Sequence, residues 1–283
     1  MKGRFAPSPT GVLHLGNLRT ALLAWLFARS AASPFLVRIE DLDTGRVRAG
    51  YAEQQLADLA AIGIDWDGEV VYQSQRLELY ADAISALGDR VCECYCTRAE
   101  IREAASAPHG PLPEGAYPGT CLRLTAAQLA EKRASGRPPA LRIHADAARV
   151  AFEDRMHGHV EGVVDDFVVR RNDGAPAYNL AVVVDDAAQG IGEVVRGDDL
   201  LDTTPRQLLL GRALGLPEPS YAHVPLVLGP DGARLAKRHG AVTLREVEPA
   251  AARAWMLRTL GLAEGGAFDP ETLPREPTVF DGV

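Results

Sequence analysis

The chain has 283 residues, 47% of them hydrophobic and 24% charged, with a formal net charge of −8. That length supports one large domain or two small ones, and the balance of residue types excludes a disordered chain. The negative charge excludes a uniformly basic surface, so a nucleic-acid partner has to meet a local patch such as Arg170-Arg171 or the segment from Arg234 to Arg238.

No apolar run approaches the roughly 18 residues of a membrane span. The opening Met1-Lys2-Gly3-Arg4 leads into a polar loop and not into a signal peptide. A cytoplasmic monomer with no membrane partner is therefore expected. In chain order, Arg4 to Ala6 predicts a short strand, followed by a Pro/Ser/Gly loop through Gly11. From Leu15 to Ala32, two series (Leu18, Leu22, Leu26 and Ala21, Trp25, Ala28) recur at helical spacing. Pro34 to Glu40 predicts a buried strand, and Tyr51 to Ile62 and Arg76 to Leu87 predict amphipathic helices. This alternation points to an α/β fold with a Rossmann-type parallel sheet.

Between about Val91 and Arg123 the pattern breaks into a segment rich in Cys, Pro and Gly, expected to be an inserted lobe. Ala140 to Asp173 is strand-rich, with a turn at Asn172-Asp173-Gly174. Asn179 to Val184 predicts a second buried strand, and Val224 to Leu228 a third. Thr204 to Leu214 and Pro249 to Leu262 predict helices, and the last twenty residues are expected to fray. The expected division is a catalytic domain over 1–90 and 175–245, an inserted lobe over 91–174 and a short helical C-terminal part over 246–283.

The cysteines are Cys92, Cys94, Cys96 and Cys121. Three alternate within five residues, too close to pair with one another as ordinary disulfides, so metal ligation is the natural reading. Cys94 and Cys96 present two sulfurs on one strand face and Cys121 supplies a third. Cys92 and His109 are rival ligands.

Two strings carry the chemistry. The first runs from Arg4 through Phe5-Ala6-Pro7-Ser8 to His14-Leu15-Gly16-Asn17. A strand, a Pro/Gly-shaped loop and a helix start make an anion site, because free amides and a partial positive charge meet at a helix N-terminus. The second is Leu228-Gly229-Pro230-Asp231-Gly232, continuing after Ala233 as Arg234-Leu235-Ala236-Lys237-Arg238. It reads as a basic loop behind an apolar strand.

Together these strings resemble the two signatures of the class I aminoacyl-tRNA synthetases, and RFAPSPTG resembles the glutamyl/glutaminyl branch. HLGN stands where HIGH or HIGN is usual. RLAKR stands for KMSKS, with Arg234 in place of the first lysine and Ala236 in place of the serine. The resemblance implies that His14 and Lys237 are catalytic, and that both bind ATP with Gly16, Asn17 and Mg²⁺. It implies that Arg4 and Arg196 hold the carboxylates of glutamate, that Tyr178 donates its hydroxyl, and that Glu40 meets the ammonium. Phe5, Ala6, Pro7 and Ser8 then line the same pocket. It further implies that Tyr117 completes a structural zinc site with Cys94, Cys96 and Cys121.

Too little chain follows Arg238 for an anticodon-binding domain, which suggests resemblance to a truncated paralogue within the branch. That paralogue activates glutamate without tRNA and esterifies it to queuosine in the anticodon of tRNA(Asp). Val182, where full-length members place asparagine, agrees with this. The alternatives are a shortened enzyme charging the 3′ end of a tRNA, and a non-catalytic protein that binds amino acid or tRNA.

Overall fold

A computed structural model of the chain describes residues 1–97, 99–101, 116–236, 239 and 242–283. Lys237, Arg238 and His109 lie outside the described residues. Strand β1 (Gly3–Phe5) leads through a loop into helix α1 (Leu15–Ser30), and the chain returns as β2 (Phe35–Ile39). β1 and β2 pair in parallel, Gly3 against Phe35. A Cβ at Gly3 would stand 3.0 Å from that of Ala28, so the missing side chain is what lets α1 lie close on β1. Beyond α2 (Tyr51–Ala61), strand β3 (Val71–Tyr72) adds to β2, again in parallel.

A second run of parallel strands is built from β9 (Glu193–Gly197), β10 (Ser220–Val224) and β6 (Arg149–Asp154). A parallel bridge between Lys2 and Ile191 sets β9 beside β1. The order across the molecule is therefore β3-β2-β1-β9-β10-β6, with β7 (Gly158–Val163) antiparallel on the outer edge. Adjacent residues of the central strands enter opposite cores. Val195, Ala222 and Val224 pack with α1, whereas Val194 and Tyr221 pack with Leu180, Val184 and Leu208. Burial on both faces explains why these strands read as apolar runs and not as alternating patterns.

β1 connects through α1 to β2 on one side, and β9 connects through the Thr204–Ala213 helix to β10 on the other. The chain diverges between β1 and β9. In an open parallel sheet this switch point leaves a crevice at the carboxyl ends of the strands. A separate antiparallel sheet, β4 (Val91–Cys94), β5 (Ala140–Ile143) and β8 (Val168–Arg170), stands over that edge, and it ends in the expected turn at Asn172-Asp173-Gly174.

Three expectations are corrected. Val224 to Leu228 is not one strand, because β10 ends at Val224, Pro225 and Leu226 break the chain, and Val227–Leu228 belongs to another sheet. Asn179 to Val184 is not a strand but part of the Tyr178–Gln189 helix, closed by Gly190 at φ 69°. Leu180, Ala181, Val182 and Val184 are all buried, so the helix shows no polar stripe to betray its period. The final residues do not fray. Strand β12 (Thr278–Val279) pairs in parallel with β11 (Val227–Leu228), and Phe280 packs edge-on against the fully buried Trp255 with ring centroids 5.5 Å apart. Among the described residues no helix is long and apolar enough to cross a membrane.

Candidate active site

The crevice at the switch point is a cavity of about 420 Å³, within the range of small-ligand sites. Its floor is the loop from Phe5 to Leu13. Gln55, buried on α2, donates to the carbonyls of Ser8 (3.0 Å) and Gly11 (2.7 Å), and the Glu40 amide donates to Pro7 (2.9 Å). These bonds give the loop the fixed shape that its prolines alone do not.

At one end stands the start of α1. His14 is the N-cap, and its Nδ1 accepts from the Asn17 amide at 3.2 Å, which leaves the ring proton on Nε2. Burial, with the charge of Arg234, pushes the His14 pKa down to about 4, so the imidazole is neutral at physiological pH. A Cβ at Gly16 would meet the His14 ring at 3.1 Å. Arg234 lines the same cavity and pairs with Asp199. The segment behind the basic loop is tied here too, since Leu15 donates to Val242 and His14 bridges to Thr243. The two signature strings, far apart in sequence, thus converge from Arg4 to Asn17 on one side and at Arg234 on the other.

At the other end stand Arg4, Glu40, Tyr178, Val182 and Arg196. Arg4 is bidentate to Asp186 at 3.2 and 3.1 Å, so its charge is already met. Arg38, fully buried, joins Asp186 (2.7 Å) to Glu40 (3.2 Å). Burial opposes the Asp186 charge, but Arg4 and Arg38 outweigh it and hold the carboxyl below its usual range. For Glu40 burial prevails over the same two arginines and the pKa is raised. Tyr178 is 44% exposed at the rim, its phenol pKa raised by burial and by Glu40. Arg196 differs from Arg4. Its Nε, Nη1 and Nη2 donate to His223 Nε2 (3.0 Å), Gln207 Oε1 (2.8 Å) and Thr204 Oγ1 (2.8 Å), all neutral acceptors. Burial and Arg4 lower its pKa, as for a buried cation awaiting an anion.

The cysteine lobe holds a second arrangement. The Sγ atoms of Cys94, Cys96 and Cys121 lie within 4.8 Å of one another. The Tyr117 hydroxyl is 3.5 Å from Cys94 Sγ and 3.9 Å from Cys96 Sγ. Sulfurs on a tetrahedral zinc stand about 3.8 Å apart, given Zn–S bonds of about 2.3 Å, so this donor set fits such an ion. Cys92 lies outside the cluster, bonded to the Arg142 carbonyl, with its thiol pushed up to about 11 by burial.

Sequence reasoning missed Arg38, Gln55, Asp185-Asp186, Asp154 and His223. Each acts through a partner on another element, so no local spacing announces it. Only the burial of a charged residue inside an apolar run, such as Arg38 within PFLVRIE, could have flagged one.

Residues 1–260 match the family model described as the catalytic domain of class I tRNA synthetases (E and Q). The chain is 59% identical over 98% of its length to a Nocardia farcinica protein named glutamyl-Q tRNA(Asp) synthetase, covering 92% of that protein. It is 54% identical over 88% of its length to a protein of the same name from Symbiobacterium thermophilum, covering 81% of it. Among solved structures, a glutamate tRNA ligase from Elizabethkingia meningosepticum in complex with its amino acid superposes with a TM-score of 0.84 at 26% identity, over 99% of this chain and 67% of that one.

Proposed function

The chain belongs to the class I tRNA synthetases of the glutamate and glutamine branch, and from that premise we propose that it activates glutamate with ATP and transfers it to queuosine in the anticodon of tRNA(Asp). The observation that carries this reading is a single cavity with a neutral histidine at a helix start at one end and an unpaired buried arginine at the other. The first suits phosphates and the second a carboxylate. The names of the two bacterial relatives support the acceptor.

In this reading the α-carboxylate of glutamate attacks the α-phosphorus of ATP, a mixed anhydride forms and pyrophosphate leaves. Arg196 and Arg4 hold the carboxylates, Tyr178 donates its hydroxyl to the bound glutamate, Glu40 meets the ammonium, and Phe5, Ala6, Pro7 and Ser8 form the floor. The α1 amide at Gly16, the Asn17 side chain and the Nε2 proton of His14 face the phosphates. Mg²⁺ and Lys237 offset the charge that develops on them. A queuosine hydroxyl then attacks the anhydride carbonyl, the ester forms, AMP leaves, and its phosphate takes the proton. Most of the rate comes from position and fixed charge.

A groove of about 990 Å³ shares Ser8, Glu40 and Tyr178 with the cavity and is walled by Arg137, Arg142 and Arg171. It is the proposed approach for the nucleotide. The lobe over 91–174, carrying zinc on Cys94, Cys96, Tyr117 and Cys121, forms its far wall, with 1–90 and 175–245 as the catalytic domain. The enzyme acts as a cytoplasmic monomer in this reading.

Charging assays with labelled glutamate on tRNA(Asp) with and without queuosine test the acceptor. Label is expected only on the queuosine-bearing tRNA, and label on tRNA(Glu) instead would transfer the reading to a 3′-end ligase. Glutamate-dependent ATP–pyrophosphate exchange without tRNA tests the first step, with Lys237→Ala expected to lower it at least about 100-fold.

A further inference from the structure

Among the described residues, Arg196 is the one cation lining the cavity whose hydrogen bonds all end on neutral acceptors, and each of those acceptors is held by a further residue, Gln207 through its Nε2 on Asn179 at 3.1 Å. His223, fully buried on β10, takes the Arg196 Nε proton on its own Nε2. An arginine N–H only donates, so Nε2 must carry a lone pair. The other ring nitrogen, Nδ1, is 2.6 Å from Asp154 Oδ2, and a carboxylate beside it fixes the proton there. Asp154 is itself locked at the end of β6 by the amides of Met156 (2.9 Å), His157 (3.1 Å) and His223 (3.1 Å). Thr204 accepts from Arg196 Nη2, and its one hydroxyl proton lies between two acceptors, the Leu200 carbonyl at 3.2 Å and His223 Nε2 at 3.0 Å.

The order of protons is therefore fixed from Asp154 to His223 to Arg196. The other imidazole tautomer would set two N–H groups against each other. Asp154 neutralises no charge on Arg196 directly, since the neutral ring stands between them. We propose that Asp154 and His223 are positioning residues, which hold one imidazole tautomer so that Arg196 presents an oriented and uncompensated guanidinium to the carboxylate of the amino-acid substrate. Resting on the glutamate reading given above, this adds two residues that do not line the cavity.

The test compares His223→Leu with His223→Gln, whose side-chain oxygen can replace Nε2 as the acceptor. Glutamate binding is measured by calorimetry without ATP, and KM values for glutamate and ATP by pyrophosphate exchange. His223→Leu is expected to raise the glutamate Kd and KM at least about tenfold while the ATP KM stays within about twofold, and His223→Gln is expected to recover most of the loss. Thr204→Val and Thr204→Ser form a second pair with the same expectation, decisive if the His223 variants do not fold. Equal losses for both members of a pair, or an ATP KM that rises in step with that for glutamate, would overturn the proposal. Failure of the wild-type protein to bind glutamate would overturn the functional reading itself.

Discussion

His14 joins a structural duty to the chemical one proposed for it, in one protonation state. Its Nδ1 lone pair caps α1, and protonation would replace that acceptor with a donor facing the Asn17 amide. The folded pKa, about 4, lies below the ordinary 6.5, so as pH falls the unfolded chain takes up the proton first. The stability contributed by neutral His14 is thus complete above about pH 6.5, declines as pH drops towards 4, and changes no further below that. His14→Asn keeps a capping oxygen but does not titrate. Between pH 7 and pH 4.5 the wild-type melting temperature is expected to fall further than that of His14→Asn, and parallel curves would refute the assignment. The same residue illustrates what sequence can reveal. His14, Arg4, Glu40, Tyr178 and Arg196 stand in recognisable strings, and the structure brings all five to one cavity. Arg38, Asp186, Asp154 and His223 do not stand out, because what matters is which strand lies beside which.

Elements were legible where one face is polar. The helices over Tyr51–Ala61 and Leu77–Ala86 follow their apolar spacing to within a residue or so. Where even the less buried face carries apolar residues, as at Val183 and Ala187, the period disappears, and the Tyr178–Gln189 helix read as a strand for that reason. The C-terminal segment misled in the opposite way, since its Pro, Gly and acidic residues suit an exposed tail. Its order comes from a neighbour. Arg19, buried on α1 with its pKa lowered to about 10 by burial, donates to Pro225 and to both Thr259 and Thr278 hydroxyls. β12 thus closes a polar network as well as covering Trp255. Ending the chain at residue 276 should cost roughly 2–4 kcal/mol in urea denaturation, from the half-buried Phe280 ring, the cover it gives Trp255 and a hydrogen bond to a charged group. Trp255 fluorescence should shift to the red in the native state. An unchanged urea midpoint would mean that the strand is ornamental to stability.

At the scale of the whole molecule, the amino-acid cavity and the cysteine cluster are built from separate stretches of chain. Among the described residues none that lines the cavity comes from 91–174, whereas the groove beside it is walled by Cys94, Cys96, Arg137 and Arg142. The lobe is coupled to the catalytic part at Tyr117, whose amide donates to Asp165 (3.0 Å), and Asp165 in turn pairs with Arg206 on the Thr204–Ala213 helix. Arg142 covers the Tyr117 ring at 3.8 Å, so the tyrosine links the proposed zinc site to the groove wall. Removal of the proposed zinc would leave three sulfurs and a phenol oxygen close together with nothing to bind them, and the groove wall would lose its anchor before the sheet does. Chelation is therefore expected to separate the two half-reactions. Glutamate-dependent pyrophosphate exchange should persist within about threefold, while transfer to tRNA falls at least about tenfold and returns on adding zinc. The split follows from which walls the lobe builds. Equal loss of both activities would mean that the lobe supports the adenylation cavity after all, and an unchanged transfer rate would remove zinc from the account of the groove.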